Sequence, residues 1–223
     1  MRLPDLFIPA AEPPTIEADV VLRRRRITVA VTIVIGTALL AATLRAPRGS
    51  GSFTVLGLLV AATWIVGALV SGPIPLRPVG TSPWRTVVLP AMAVGIVSFL
   101  GFLVAYFVAQ HLPLVSTALD SVLAKADAGP VAMVLAIALV NGVAEELFFR
   151  GALHAAVEPH RPAVVATVVY VAVTATTGNV ALVLAAAVMG TIFSLERLST
   201  RSVLAPIVTH VTWSTLIVLA LPR

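Results

Sequence analysis

Two stretches place ionisable side chains inside otherwise apolar sequence. Glu145-Glu146-Leu147-Phe148-Phe149-Arg150 interrupts one aliphatic run, and His210 interrupts another near the C-terminus. A carboxylate and an imidazole are the groups that general acid–base chemistry uses. On a helix, at roughly 100° per residue, Glu145 and Glu146 point in different directions. Glu146 and Arg150 are spaced i, i+4 with the acid first, the favourable order for an ion pair. That pair is nearly neutral as a unit, so Glu145 is the acid left to face a cavity and exchange a proton. The alternative is a Glu–Arg–Glu cluster that only pins helices together. Charge in a bilayer is costly, and three charges within six residues weigh toward function.

His210 lies about seven residues into its run, roughly 10 Å along a helix. Glu145 sits on a run of opposite direction, so the two can meet inside the bundle. Ser214 is one turn beyond His210, and a Ser214–His210 nucleophile–base pair is conceivable. Thr209, Thr212 and Thr215 show that hydroxyls are simply common there. His154 extends the Glu146–Arg150 row by four more residues and reads as a helix-end residue near the surface rather than a ligand. His111 and His160 read as interfacial. Thr174, Thr176 and Thr177 close their run with hydroxyls able to bond back to the preceding turn.

The elements that must position these residues are membrane helices. Of 223 residues, 59% are hydrophobic and 11% charged, with a mean hydropathy of +1.03. An ordinary soluble domain is about a quarter charged, so a soluble enzyme is excluded. The net charge of +5 is dispersed between apolar runs, which argues against a nucleic-acid partner. Without cysteine there are no disulfides, thiolate metal sites or cysteine nucleophiles.

A bilayer core of about 30 Å takes roughly 20 helical residues. The runs are Ile27–Leu44, Phe53–Val70, Thr86–Ala109, Val131–Val157, Ala163–Ala175, Val180–Leu195 and Val203–Leu221. The expected fold is therefore an all-α polytopic bundle of about seven spans, with the fifth and sixth runs the shortest. Residues 1–26 read as a disordered cytoplasmic tail ending at Arg23-Arg24-Arg25-Arg26, and 27–109 as an N-terminal three-helix membrane region. Residues 110–129 form either a surface helix or a connecting loop. Within them Val115, Ala118, Leu119, Val122, Leu123 and Ala126 follow a helical pattern. Residues 130–223 form the core that carries the acid and the imidazole.

With the N-terminus inside, the inner segments hold Arg2, Arg23, Arg24, Arg25, Arg26, Arg77, Arg85, Arg161, Arg197 and Arg201. The outer ones hold Arg45, Arg48, Lys125 and Arg223. That asymmetry places the N-terminus in the cytoplasm. The expected bundle encloses a polar cavity open toward the same side.

The motif Glu145-Glu146-Leu147-Phe148-Phe149-Arg150-Gly151, with Gly190, Pro206 and His210, resembles the intramembrane metalloproteases of the CAAX-processing and bacteriocin-processing family. The resemblance covers about Ala132 to Leu219. It implies an endopeptidase acting on membrane-associated peptides or proteins, with the bilayer as its medium and, by its bacterial relatives, a bacterial cytoplasmic membrane. Carried across, Glu145 is the general base, Glu146 and Arg150 its support, and His210 an oxyanion or metal group. The sequence departs from the family at Tyr170-Val171-Ala172-Val173-Thr174, where Thr174 replaces a histidine. It departs again at Ser214, which replaces asparagine or aspartate. Ser214 still donates a hydrogen bond, whereas Thr174 only orients water. The resemblance also implies a divalent metal such as zinc, but one glutamate and one histidine fall short of the usual three ligands. An inactive family member that binds or scaffolds membrane partners is the rival reading, and a small transporter or proton path using Glu145 and Glu146 is a third.

Overall fold

A computed structural model describes residues 19–47, 51–76, 84–126 and 129–220. The structure is helical, with no strand among the described residues. In order the helices are α1 (Asp19–Arg45), α2 (Gly51–Ser71), α3 (Arg85–Ala109) and α4 (Pro113–Ala126). They continue with α5 (Val131–Glu145), a π-helical segment (Glu146–Leu153) and α6 (His154–Val157), which form one rod. α7 (Pro162–Ala175), α8 (Val180–Thr200) and α9 (Leu204–Ala220) complete the chain.

Among the described residues, five helical stretches are long and apolar enough to cross a membrane: α1, α2, α3, the Val131–Val157 rod and α8. α7 and α9 are shorter apolar helices of 14 and 17 residues. Together they account for the seven expected spans of an integral membrane protein. The outside of the bundle is aliphatic, with Val34, Leu69, Val97 and Val104 exposed, while Glu146 and Arg150 are buried. That inversion suits lipid, where side chains on the rim meet hydrocarbon and polar groups must find partners within.

Local signals set the helix boundaries. Pro162 occupies the first turn of α7, where its missing N–H costs nothing. Gly178, at φ 71°, turns the chain after α7. Asn179 then caps α8 by accepting from the Leu182 N–H at 3.0 Å.

The sequence reading needs two corrections here, and one choice it left open, helix or loop over 110–129, is decided for the helix. α1 begins at Asp19, so Arg23–Arg26 are helical and the tail boundary at residue 26 is too late; residues 1–18 lie outside the described residues, as do Arg48, Arg77, Asp127 and Arg223. Lys125 bonds the Ala46 carbonyl at 2.6 Å, and α4 packs on α8, so 113–126 is a helix and not a loop. α8 runs to Thr200 rather than Leu195, which draws Glu196 and Arg197 into the helix.

Helices α1 and α2 pack through reciprocal small residues. A Cβ at Gly36 would lie under 3.0 Å from the Trp64 ring, and one at Gly67 would meet Thr32 as closely. Close backbone approach of this kind substitutes in membranes for the missing hydrophobic driving force. Trp64 in turn packs on Phe148 and Phe149, at ring distances of 4.7 and 5.1 Å. Gly36→Ala is therefore expected to cost about 1–3 kcal/mol, read as a fall of several degrees in thermal unfolding in detergent. An unchanged midpoint would show that this contact gives way freely.

Candidate active site

The Val131–Val157 rod changes pitch where the chemistry lies. α5 ends at Glu145 and the π-helical segment starts at Glu146. π-turns bond i→i+5 and recur at functional sites. The two glutamates diverge as expected: Glu146 is 0% exposed, while Glu145 is only partly buried and lines a cavity.

Glu145 Oε2 accepts from the Tyr170 hydroxyl at 2.8 Å. Glu146 Oε1 accepts from Arg150 Nη1 at 3.3 Å, which confirms the pair read from spacing. The same oxygen lies 2.9 Å from His210 Nδ1. Glu146 is therefore more than a partner for Arg150, because it also orients the imidazole. The ring stacks on Phe193 at 4.7 Å and 18°, and its other edge faces Gly142, where a Cβ would come within 3.2 Å. Arg150 is held further by the Gly190 carbonyl at 3.0 Å and by the Tyr170 ring 4.7 Å from its guanidinium carbon.

The cavity has a volume of about 370 Å³. Glu145, Tyr170, Thr174, His210 and Ser214 all line it, so the acid and imidazole do share one pocket. The rest of the wall is mainly aliphatic rather than polar, and it extends to Leu44, Phe53, Val122 and Lys125. Those residues mark the α4 end of the bundle. The expectation of a cavity open on the side of the Arg23–Arg26 run is not met: the opening lies at the opposite end, beneath the amphipathic α4.

Other expected residues find definite places. The Thr174 hydroxyl donates to the Tyr170 carbonyl at 2.9 Å, the back-bond foreseen for it. Thr176 and Thr177 bond back to Val173 and Thr174. His210 Nδ1 faces Glu146, not Ser214, so the geometry gives no support to a Ser214–His210 nucleophile pair at that nitrogen. His154 is 3% exposed, which corrects its reading as a surface residue, while His111 and His160 are exposed as expected.

Two participants escaped the sequence reading. Tyr170 entered it only as an aromatic marker, although a hydroxyl one turn before Thr174 was the available signal. Glu196 was set outside a run ended at Leu195, yet it bonds Thr209 at 2.6 Å. Around it, Glu146 Oε2, Arg150 Nε, His154 Nδ1 and Glu196 Oε2 are buried without a protein partner among the described residues. At about 1–3 kcal/mol each, four uncompensated groups would cost roughly 4–12 kcal/mol. That approaches the whole stability of a domain, about 5–15 kcal/mol. Folded proteins meet such groups with ordered water.

The fold and site define a polytopic membrane bundle with a buried acid–imidazole centre. Residues 127–216 match the family described as type II CAAX prenyl endopeptidase Rce1-like. The match runs through α5, α7, α8 and most of α9, and it includes all six candidate site residues. The chain is thus an integral membrane protein in which residues 127–216 are similar to the Rce1-like type II CAAX prenyl endopeptidase family. No curated protein and no solved structure matches it.

Proposed function

We propose that the protein is an intramembrane endopeptidase of the CAAX-processing type, hydrolysing peptide bonds of membrane-associated peptides or proteins. The observation that carries this reading is the pair of walls facing one cavity. Glu145 is held by Tyr170 at 2.8 Å, and His210 is held by Glu146 at 2.9 Å.

In the reaction Glu145 takes a proton from water as the water oxygen bonds to the peptide carbonyl carbon. His210 Nε2–H donates to the resulting oxyanion, with Nδ1–H donating to Glu146. Glu145 then passes its proton to the leaving nitrogen as the C–N bond breaks, releasing a carboxylate and an amine. With His210 protonated, Glu145, Glu146, Arg150 and His210 sum to zero charge, a favourable state for a buried cluster. Thr174 on α7 and Ser214 on α9 line the same cavity and orient water or substrate.

The residues do not suit the metal that the family resemblance implies. Glu146 is engaged by Arg150 and His210, which leaves Glu145 and His210 as the cavity's acid and imidazole donors. Among the described residues no three His, Cys, Asp or Glu side chains group as ligands, whereas catalytic zinc takes three protein ligands. No step here runs through a metal.

The basic asymmetry of the sequence supports an Arg23–Arg26 end on the cytoplasmic side, and the family resemblance a bacterial cytoplasmic membrane; in that orientation the cavity mouth faces the other side. The test of function is cleavage of a lipid-associated peptide by the purified, reconstituted protein. The parent cleaves it, and His210→Ala and Glu145→Ala do not; unchanged cleavage by both variants removes the mechanism.

One observation favours a second reading, a non-proteolytic binding or scaffold protein. Thr174 stands where the family has histidine, and its hydroxyl is taken up by the Tyr170 carbonyl. Thr174→His separates the two. Under the proteolytic reading it changes an existing rate, upward by roughly tenfold if the imidazole assists proton transfer. Cleavage by the variant alone, with none by the parent, establishes the scaffold reading.

A further inference from the structure

The apolar cavity raises a question of water supply. A peptide seated in it from the α4 end displaces the water it holds, yet each bond hydrolysed consumes one water molecule. The opposite side of the site is polar. There the rod carries Glu146, Arg150, His154 and Glu158 at four-residue spacing. On an α-helix each step of four overshoots a full turn by about 40°. The wider π-turn counters that overshoot across Glu146–Leu153, where Glu146 meets His210 on α9 and Arg150 meets the Gly190 carbonyl on α8.

On α8, Arg197 Nε donates to the Arg150 carbonyl at 3.0 Å. Glu196 lies within electrostatic reach of Glu146 and Arg150, His154 of Arg150 and Arg197, and Arg197 of Glu158. The row thus joins the fully buried Glu146 to Glu158, next to the exposed Pro159 and His160 at the arginine-bearing end. Three of the seven buried side-chain atoms without a partner among the described residues fall on it, and a fourth, Glu196 Oε2, lies on α8. A network that merely pins helices is stabilising only when every member is satisfied. Open valences on the rod and on α8 are instead the kind of group that buried waters satisfy.

We infer that the row from Glu146 to Glu158, with Glu196 and Arg197, is a hydrated track that brings water to the Glu145 site from the arginine-bearing end. Substrate and water then approach from opposite ends of the bundle. The delivery role rests on the proteolytic reading above; the hydration of the track does not.

Radiolytic hydroxyl-radical footprinting of the full chain in lipid nanodiscs tests the hydration, because radicals arise from water in place. Trp64 is the control, being 1% exposed with an unpartnered indole nitrogen but packed among aromatic rings. After correction for intrinsic reactivity, His154 should be oxidised about tenfold faster than Trp64, since bound water is expected only at the former. Equal protection of the two overturns the track. The delivery role is read from His154→Leu, an apolar plug away from the reacting atoms. It should lower kcat about tenfold with KM and thermal midpoint retained, and His154→Gln should restore kcat, because an amide still binds water. Strong labelling of His154 with kcat unaltered in His154→Leu overturns delivery. If the parent cleaves nothing, the proteolytic reading falls while the footprint still decides whether the track is wet.

Discussion

Under the proteolytic reading, Glu145→Gln is expected to abolish turnover without unfolding the protein. The amide keeps the shape of the acid and can still meet the Tyr170 hydroxyl, which lies 2.8 Å from the carboxylate, but it cannot accept a proton from water. A positioned general base contributes about 10²–10⁴-fold in rate, so kcat should fall by that factor with KM little changed. Tyr170→Phe provides the graded companion: it leaves the carboxylate present but unheld, and a smaller loss is expected. The measurement is cleavage of a fluorogenic lipid-associated peptide in proteoliposomes. Activity of the Glu145→Gln variant equal to the parent's would remove Glu145 from the chemistry. A matching thermal midpoint keeps any loss from being attributed to misfolding. The prediction is specific to the glutamate that touches the cavity. Its neighbour Glu146 should fail in a different way.

Glu146→Ala is expected to fail in folding. It would leave Arg150, which is 0% exposed, with the Gly190 carbonyl as its remaining hydrogen-bond partner and two aromatic faces around it. Removing one member of a buried ion pair costs about 3–5 kcal/mol, because the other charge is stranded. Replacing both members by apolar residues of similar size is often neutral or better. Glu146→Met with Arg150→Met should therefore recover most of the unfolding midpoint lost by the single variant. It should not recover cleavage, since His210 loses the oxygen at 2.9 Å that fixes its ring. Recovery of both folding and cleavage would show that Glu146 does nothing for the imidazole. Loss of both in the double variant would show that the shape of the pair, and not its charge, holds the rod.

Composition and periodicity carried much of this protein. Runs such as Phe53–Val70 and Thr86–Ala109 are apolar on every face, because one side meets lipid and the other packs against apolar helices, and their lengths follow from the thickness of the bilayer. The cost of charge in hydrocarbon singled out Glu145, Glu146, Arg150 and His210, and helical spacing alone paired Glu146 with Arg150 and turned Glu145 away. Those are local properties, expressed within one helix and set by its own solvent.

What crossed between helices was settled only by packing. Nothing in the local sequence marks Glu146–Leu153 as π-helical, since that pitch is chosen by how Phe148, Phe149 and Arg150 seat against α2, α7 and α8. The choice of Glu146 over Glu145 as the partner of His210 depends on where α9 lies beside the rod, as does the use of Tyr170 to hold Glu145 on where α7 lies. The mouth of the cavity at the α4 end likewise follows from α4 packing against α8. There Asn179 reaches the Ala118 carbonyl across 61 residues of sequence, a contact that no periodicity encodes. A chain's own pattern reports which faces seek lipid and which groups need partners; it carries no record of which helix will supply them.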